Sequence, residues 1–390
     1  MIERKSTIKK LIALGVLTAV FVVLTLLSES RAVCEFFATT FARAWIFLFG
    51  HIFGVLPFSC YELFLIAAIV LAVVFVVYLF VFLIGRKWNK LLSMILIAAI
   101  AVMTFLSVYT ATATMTYNRD ELPDEIYSQY SSKDLTFDEA VELAEIIIDG
   151  ANKAYADTEH DSSGNIVYPF DFNGLSDLLA DEYKKLDNKY FSSYTPKGKR
   201  IINKTIMSEL HIVGVFFAPF GEANVNGHEN NLYLPQTLAH ELAHSKGVMR
   251  EFQADIVADY VLLQSDNPYL RYGAYAQCMS YAMRIVSLYP DSQAEYDRLY
   301  ARIDKRIYTE QRNYSEFYSQ FHHFDDLGKF FNDLYLKLQK QPDGVNSYTK
   351  PGEIVDTGNV DGDNRPIVEV RSFSGMQNLL INMYKQGKLH

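Results

Sequence analysis

The chain has 390 residues, of which 50% are hydrophobic and 21% are charged. This balance is too apolar for a disordered protein and too polar for a chain that lies wholly within a membrane. Residues 1–116 hold nine Lys and Arg against four Asp and Glu, and the remaining residues hold 27 against 41, so the two parts carry +5 and −14. The sequence therefore predicts a basic, apolar membrane anchor followed by an acidic soluble domain, and the acidic domain argues against a nucleic acid partner.

Three uncharged apolar runs near the N-terminus are long enough to cross a bilayer, which takes about 20 helical residues. The runs are Leu11–Ser28, Leu63–Gly85 and Leu91–Val108, and the predicted transmembrane helices cover about 11–28, 63–85 and 91–115. A basic segment precedes the first run, so a cleavable signal peptide is an alternative there. Arg31 and the lack of a small-x-small cleavage site argue against cleavage.

The distribution of positive charge predicts how these helices are oriented. Basic residues cluster at the N-terminus and at Arg86–Lys90, and such clusters normally face the cytoplasm. With three spans, both clusters are cytoplasmic and the chain beyond about Tyr117 lies outside. The aromatic segment 36–57 contains Arg43 and Pro57. If it crossed the membrane, Arg86–Lys90 would face outward, so we predict a re-entrant or interfacial hairpin over 36–57.

Beyond Tyr117 the sequence predicts an α+β, mainly helical domain. Thr136 and Glu139 have the spacing of a capping box that begins a helix, and a second amphipathic helix fits Leu175–Leu186. Two short segments rich in β-formers predict strands, and Pro235 suits the first turn of the following helix. The predicted strands are His211–Phe217 and Asn230–Leu234.

The helix after Pro235 carries the sequence LAHELAH. His240 and His244 are four residues apart, which places both imidazoles on one face of a helix, close enough to share a metal ion. Glu241 lies beside that face, where it can take a proton from a water held by the metal. This is the H-E-x-x-H pattern of zinc peptidases. A surface helix with two solvated histidines is the alternative.

The residues that follow predict how the site is completed. Gly247 allows the chain to turn back toward the metal. Arg250 occupies the spacing at which some zinc proteases place a third histidine, and a guanidinium cannot bind zinc. A helix that begins near Arg250 places Glu251, Asp255 and Asp259 on one stripe. We predict Glu251 as the third ligand and Asp255 as the acceptor for the ring N–H of a zinc-bound histidine; a solvated acidic face is the alternative.

The cysteines argue against a structural metal site. Two histidines, one carboxylate and an open position for water are typical of catalytic zinc, whereas structural zinc usually has four protein ligands rich in cysteine. The chain has three cysteines, none of them near the motif in sequence. Cys34 and Cys60 flank the predicted hairpin, where a disulfide bridge and two unpaired thiols are both open, and Cys278 is predicted to lie in the core.

The strings HELAHSKGVMREFQAD and GVFFAPFGEANVN, together with the anchor before them, resemble the bacterial domain-of-unknown-function family 3810 of zincin-like membrane proteins. The resemblance extends from the first apolar run to at least Gly344–Lys350. The spacing of Glu251 and Asp255 also resembles the gluzincin peptidases, in which the glutamate binds zinc and the aspartate supports a histidine, although the two motifs usually lie farther apart there. The resemblance implies a zincin-like fold and peptidase activity.

Other candidate contacts depend on weaker signals. The segment Phe220–Gly227 precedes the motif helix, where zincins place an edge strand that pairs with substrate. Glu222 and Asn224 are therefore candidate substrate contacts, and a plain turn between two strands explains them equally well. Tyr272, in the helix after the motif, is a candidate donor to the oxyanion of the transition state.

The sequence thus predicts a multi-pass bacterial membrane protein with a zinc-dependent catalytic domain over 117–345, outside the cytoplasm, and a C-terminal extension over 346–390. Its predicted activity is hydrolysis of a peptide or protein substrate beside the lipid bilayer. A non-catalytic sensor or assembly factor with the same fold is the alternative. An intramembrane protease is disfavoured because the motif lies far beyond the last apolar run, in a polar context.

Overall fold

A computed structural model describes residues 2–228, 232–338, 344–362 and 364–389, and the chain is mostly helical. The helices are α1 (Ile2–Leu27), α2 (Arg31–Thr39), α3 (Phe41–Gly54), α4 (Cys60–Ile84), α5 (Trp88–Tyr109), α6 (Met115–Tyr117), α7 (Phe137–Ala156), α8 (Phe172–Lys184), α9 (Lys204–Glu209), α10 (Leu234–Ser245), α11 (Glu251–Leu263), α12 (Pro268–Val286), α13 (Gln293–Arg302), α14 (Lys305–Ser319), α15 (Asp325–Leu338) and α16 (Gly375–Lys385). The strands are β1 (Gly198–Ile201), β2 (Gly214–Phe217), β3 (Glu222–Asn226), β4 (Glu353–Val360) and β5 (Pro366–Ser372). A π-helical turn (Thr110–Thr114) joins α5 to α6, and a 3-10 helix (Gly344–Tyr348) precedes β4.

Four helical segments in the described N-terminal part are long and apolar enough to cross a membrane. They are Lys5–Leu27, Arg31–Gly54, Cys60–Ile84 and Trp88–Tyr117. Three of them confirm the helices predicted over 11–28, 63–85 and 91–115. The other contains the predicted hairpin, and it breaks at Thr40, where the backbone leaves the helical conformation between α2 and α3.

Helices α1 and α5 lie side by side and run in the same direction. At one end the Lys10 ammonium donates to the Ser93 hydroxyl, and at the other the Asn118 amide donates to the Ser28 carbonyl over 3.1 Å. Helix α4 runs the opposite way because a tight turn joins it to α5. The basic N-terminus and Arg86–Lys90 therefore lie at one end of the anchor and the soluble domain lies at the other. The side of the membrane on which the domain lies stays a prediction.

Helices α2 and α3 remain at the domain end of the anchor along their length. The Arg43 guanidinium donates to the Tyr190 carbonyl over 2.6 Å, and the His51 ring stacks on Tyr194 with centroids 4.5 Å apart. The last turn of α3 is also attached, because Lys199 donates to its Phe53 carbonyl over 2.8 Å. These contacts attach α3 to the soluble domain, and the re-entrant or interfacial placement of 36–57 stays a prediction.

The three cysteines lie within the described residues, where they are buried and form no disulfide bridge. The Cys34 thiol donates to the Ser28 carbonyl over 3.4 Å, and Cys60 begins α4 beside the soluble domain. The bridge between Cys34 and Cys60 that the sequence left open is therefore not formed. Cys278 lies in the core, as predicted.

The core of the soluble domain is built around helices α7 and α12. Helix α7 begins at the predicted capping box, in which the Glu139 carboxylate accepts from the Thr136 N–H over 2.7 Å. The two helices approach closely at Gly150, where a Cβ atom would overlap the Tyr275 ring. Because Gly150 has no side chain, the α7 backbone packs directly on the Tyr275 ring.

A three-stranded sheet with the order β1-β3-β2 lies beside α10. Strand β1 is parallel to β3, and β2 is antiparallel to it, with Gly214 opposite Val225 and Phe217 opposite Glu222. Strand β2 confirms most of the strand predicted over 211–217. The strand predicted over 230–234 is wrong for its described residues: 232 and 233 form a turn, and α10 begins at 234, while 230 and 231 lie outside the described residues.

The C-terminal part returns to the same core. Strands β4 and β5 form a hairpin, and α16 then packs against α7, α11 and α12. Leu379 and Leu380 of α16 are fully buried in the cluster that contains the core residues of those helices. The predicted extension over 346–390 thus supplies a core helix to the domain predicted over 117–345.

Candidate metal centre

Helix α10 presents the motif histidines on one face and core residues on the other. Pro235 occupies its first turn, where a missing N–H costs no helical hydrogen bond. Leu238 and Leu242 are fully buried, and their spacing of four residues is that of His240 and His244. The apolar face therefore anchors the helix and fixes the direction in which the two imidazoles project.

The chain reverses after α10 through a turn that the anchor holds in place. Gly247 has a φ of +89°, a conformation that favours glycine. Arg250 then donates to the carbonyls of Tyr117 over 2.7 Å and Arg119 over 3.0 Å, and to the Glu121 carboxylate over 2.6 Å. Arg250 thus positions the start of α11, where Glu251 follows it.

His240, His244 and Glu251 converge on one point, as the motif and its spacing predict. The Glu251 carboxylate lies 3.2 Å from Nε2 of His240 and 3.6 Å from Nε2 of His244, and the three donor atoms lie within 4.8 Å of one another. Tetrahedral zinc with bonds of about 2.0–2.1 Å separates its ligand atoms by about 3.3 Å. The spacing and the donor types therefore fit a zinc ion.

The far side of each imidazole has a hydrogen-bond acceptor. Nδ1 of His240 lies 2.7 Å from the Asp255 carboxylate, and Nδ1 of His244 lies 2.7 Å from the Val248 carbonyl. In the tautomer that donates from Nδ1, each Nε2 lone pair faces the centre. The structure places Asp255 where the sequence predicts it, behind His240 and away from the ligand atoms.

The charges around the centre suit a cation. Burial acts to raise the pKa of Glu251, but His244 and His240 outweigh it and lower that pKa to about 2. Burial acts to lower the pKa of His240, but the Asp255 and Glu251 carboxylates raise it well above its ordinary value. Carboxylates therefore lie on both sides of the His240 ring, with Glu251 at Nε2 and Asp255 at Nδ1.

Glu241 lies beside the ligand cluster, on the side of the sheet. Burial raises the pKa of its carboxyl group to about 7, and the neighbouring His240 and His244 offset only part of this effect. The carboxylate rests against Gly214 of β2, where a Cβ atom would overlap it. A carboxyl group with a pKa near neutrality can both accept and return a proton, as a general base must.

The cluster opens into a cleft of about 710 Å³. Residues of β2, which is an edge strand of the sheet, form one wall, including Gly214. Tyrosines from distant parts of the chain contribute to the lining, including Tyr61 of α4, Tyr117 of α6 and Tyr348 of the 3-10 helix. The sequence analysis missed all three, since no motif in the sequence connects them to the histidines.

The predicted substrate contacts Glu222 and Asn224 lie outside this cleft. Glu222 is buried and accepts from Lys199 over 2.5 Å and from the Tyr61 backbone N–H over 2.9 Å. The Asn224 amide donates to the Val215 carbonyl over 3.2 Å. The prediction is wrong because β3, which carries both residues, is the central strand, whereas β2 is the edge strand that faces the cleft.

Tyr272 also lies away from the cleft. Its side chain is fully buried in α12, and its hydroxyl donates to the Glu310 carboxylate over 2.8 Å. It therefore supports the packing of α14 against α12 and cannot contact a substrate beside His240. Among the tyrosines of the cleft, Tyr348 has its ring stacked with the His240 imidazole at a centroid distance of 6.5 Å.

Comparisons with known proteins identify a family without assigning an activity. Curated proteins and solved structures give no significant match to the chain. The model of the family described as "Protein of unknown function (DUF3810)" matches residues 37–354. The match covers most of the chain and includes α3 to α6, the sheet and the candidate metal centre, and it confirms the resemblance identified from the sequence. The chain belongs to the DUF3810 family of proteins of unknown function.

Proposed function

We propose that this protein is a membrane-anchored zinc metallopeptidase of the zincin type. The observation that carries the proposal is the convergence of two imidazole Nε2 atoms and the Glu251 carboxylate, with Glu241 beside them in an open cleft. A surface helix with two solvated histidines does not account for the hydrogen bonds behind each ring.

The donor set favours zinc in a catalytic role. Two nitrogens and one carboxylate oxygen leave a coordination position open, as in catalytic zinc sites. Hard cations such as magnesium and calcium prefer oxygen ligands alone. A structural zinc site is disfavoured because the described cluster contains no cysteine.

The residues around the cluster have distinct roles in the proposed hydrolysis. Bound zinc would supply a Lewis acid that polarises a peptide carbonyl and an attacking water. Glu241 accepts the proton of that water and later delivers it to the leaving amine. Asp255 and the Val248 carbonyl hold the imidazoles in the required orientation. The edge of β2 offers backbone donors and acceptors to an extended peptide chain.

The proposed location is the bacterial cell membrane, with the domain outside the cytoplasm. The four apolar segments support a membrane location. The presence of both basic clusters at the end of the anchor opposite to the domain supports the orientation, because such clusters normally face the cytoplasm.

Metal analysis of the full-length protein, purified in detergent, tests the proposed centre. We expect close to one zinc ion per chain in the parent, loss of that zinc in His240→Ala, and retention in the control His322→Ala, whose imidazole is exposed. Equal zinc content in the two variants would contradict the ligand assignment.

Glu241→Gln tests the proposed activity. This change keeps the size of the side chain and removes the base, so zinc content should stay at the parent value. Hydrolysis of a mixed peptide library should fall by ~10²–10⁴, the usual contribution of a positioned general base. A parent protein with full zinc and no hydrolysis would instead favour a non-catalytic sensor or assembly factor.

A further inference from the structure

The anchor itself forms part of the catalytic cleft. Tyr61 lies in the first turn of α4, and Tyr117 is the last residue of α6. Both side chains line the cleft that contains His240 and Glu241. Tyr61 and Tyr117 also belong to segments that are apolar enough to span a membrane, Cys60–Ile84 and Trp88–Tyr117, and lie at their domain ends. The cleft therefore lies directly at the boundary of the membrane segments.

Strand β2 leads from the proposed base to the anchor. Gly214 at its start lies against the Glu241 carboxylate. Phe217 at its end packs on Phe64 of α4, with ring centroids 5.3 Å apart, and on Phe105 of α5 at 6.3 Å. Three residues of extended chain cover about 10 Å. A peptide that pairs with the outer edge of β2 therefore reaches the apolar anchor about three residues from the scissile bond.

Polar contacts join the sheet to the start of α4. The Glu222 carboxylate of β3 accepts from the backbone N–H of Tyr61 over 2.9 Å, at the start of α4. Glu62 of α4 accepts in return from the N–H groups of Ile202 over 3.0 Å and Asn203 over 2.7 Å. Hydrogen bonds thus run in both directions between the first turn of α4 and the sheet region, and they fix the position of this helix end. The sheet and α4 therefore hold the cleft at the membrane end of the domain.

A groove between α1, α4 and α5 continues from this point into the anchor. It has a volume of about 1280 Å³ and includes both Phe64 and Phe105 in its lining. Along α4 it extends from Phe64 to Phe82, which corresponds to about 27 Å of helix and is close to the thickness of a bilayer core. Ala68 and Ala72 line it on the α4 side, and small residues allow another helix to approach closely.

From these observations we propose that the substrates are transmembrane proteins, cleaved in the extended segment next to a membrane-spanning helix. The helix of the substrate occupies the groove between α1, α4 and α5, and the adjoining segment pairs with β2. A helix suits the groove better than an acyl chain because the groove spans the bilayer core and has small side chains on its wall. This inference rests on the proposed peptidase function and specifies its substrate class.

The test compares three probes with the full-length protein in phosphatidylcholine vesicles. Every probe carries a randomised ten-residue segment. This segment is joined to a Leu/Ala transmembrane helix in the first probe, to a palmitoyl chain in the second and to a Gly/Ser tail in the third. The helix-linked probe is made as two libraries, with the helix before or after the randomised segment. We expect the better helix-linked library to be cleaved at least tenfold faster than both other probes, within about three to five residues of the helix. The palmitoyl probe controls for concentration in the bilayer.

Two alanines of α4 provide a matched pair of variants. Ala72 lines the groove, whereas Ala67 lies outside its lining. Ala72→Trp should lower the ratio of helix-linked to Gly/Ser-linked cleavage toward one, and Ala67→Trp should leave that ratio unchanged. The inference would be overturned if the parent cleaved the helix-linked probe no faster than the Gly/Ser-linked probe, or no faster than the palmitoyl probe. Either result would leave the peptidase function intact. Absence of cleavage of every probe by zinc-loaded parent would overturn both.

Discussion

The Arg119 guanidinium donates a hydrogen bond of 3.0 Å to the carbonyl of Gly247, and so joins the end of the anchor to the turn between α10 and α11. The same side chain, which is 1% exposed, makes two bonds to the Glu35 carboxylate of α2, at 3.0 and 2.7 Å. Its guanidinium also lies 3.7 Å from the centre of the Tyr190 ring. The turn between α10 and α11 and the anchor therefore form one structural unit, and experiments on the candidate site require the full-length chain.

We predict that Arg119→Ala strongly destabilises the protein. Arg119 is buried and Glu35 is partly exposed. Removal of the guanidinium leaves the Glu35 carboxylate and the Gly247 carbonyl without this donor, a loss that typically costs about 1–3 kcal/mol. Thermal unfolding in detergent should show a large decrease in Tm, together with weaker zinc retention. Arg31→Ala is the matched control, since Arg31 forms an exposed pair with Glu121 at 3.7 Å, worth about 0–1 kcal/mol. Similar Tm values for the two variants would contradict this role of Arg119.

The features that local spacing determines were predicted from the sequence. His240 and His244 share a face because a helix repeats every 3.6 residues, and Glu251 and Asp255 follow Gly247 too closely to lie far from that face. The capping box at Thr136 and the apolar helices of the anchor are local in the same sense. Each of these predictions depends on residues within one helix or one turn.

The features that depend on strand order or on distant parts of the chain were not predicted. Glu222 was expected at a sheet edge, but nothing in its own segment shows that strands pair with β3 on both sides. Tyr61 and Tyr348 lie far from the motif in sequence and reach the cleft only through tertiary packing. In a chain with 26 tyrosines, their identity gives no signal that separates them from core residues such as Tyr272.

The positions of Glu251 and Asp255 predict different effects on metal binding. Glu251→Ala removes a proposed ligand and should nearly abolish zinc retention. Asp255→Ala removes the acceptor 2.7 Å behind His240 and should weaken zinc affinity by ~10–100-fold, as is typical for the loss of such a partner. Competition with a zinc chelator of known affinity measures both. If Glu251→Ala kept its zinc and Asp255→Ala lost it, Asp255 would be the ligand and Glu251 the residue that supports His240.

Gly214 should control the position of the base without affecting the metal. An alanine Cβ at 214 would overlap the Glu241 carboxylate, so Gly214→Ala must displace the side chain. A misplacement of about 1 Å can lower the rate by ~10²-fold, and peptide hydrolysis should fall by about that factor while zinc content stays constant. In the control Gly54→Ala, the nearest atom to the new Cβ is the Tyr194 hydroxyl at 4.0 Å, and hydrolysis should stay at the parent rate. If Gly214→Ala lost its zinc, the new Cβ would have displaced the proposed metal ligands and not only Glu241.

The arrangement of the anchor predicts which residues are accessible from outside the cell. Ser162 is an exposed residue of the soluble domain, and Asn89 is exposed beside the basic cluster Arg86–Lys90, at the other end of the anchor. We expect a cysteine at position 162 to react with a membrane-impermeant thiol reagent on intact cells, and a cysteine at position 89 to react only after the cells are permeabilised. The three native cysteines are buried, so the parent protein provides the background. Because α1, α4 and α5 connect the two ends of the anchor, only one of the two positions should react on intact cells. Labelling of position 89 alone on intact cells would place the domain in the cytoplasm and contradict the orientation that the basic residues predict.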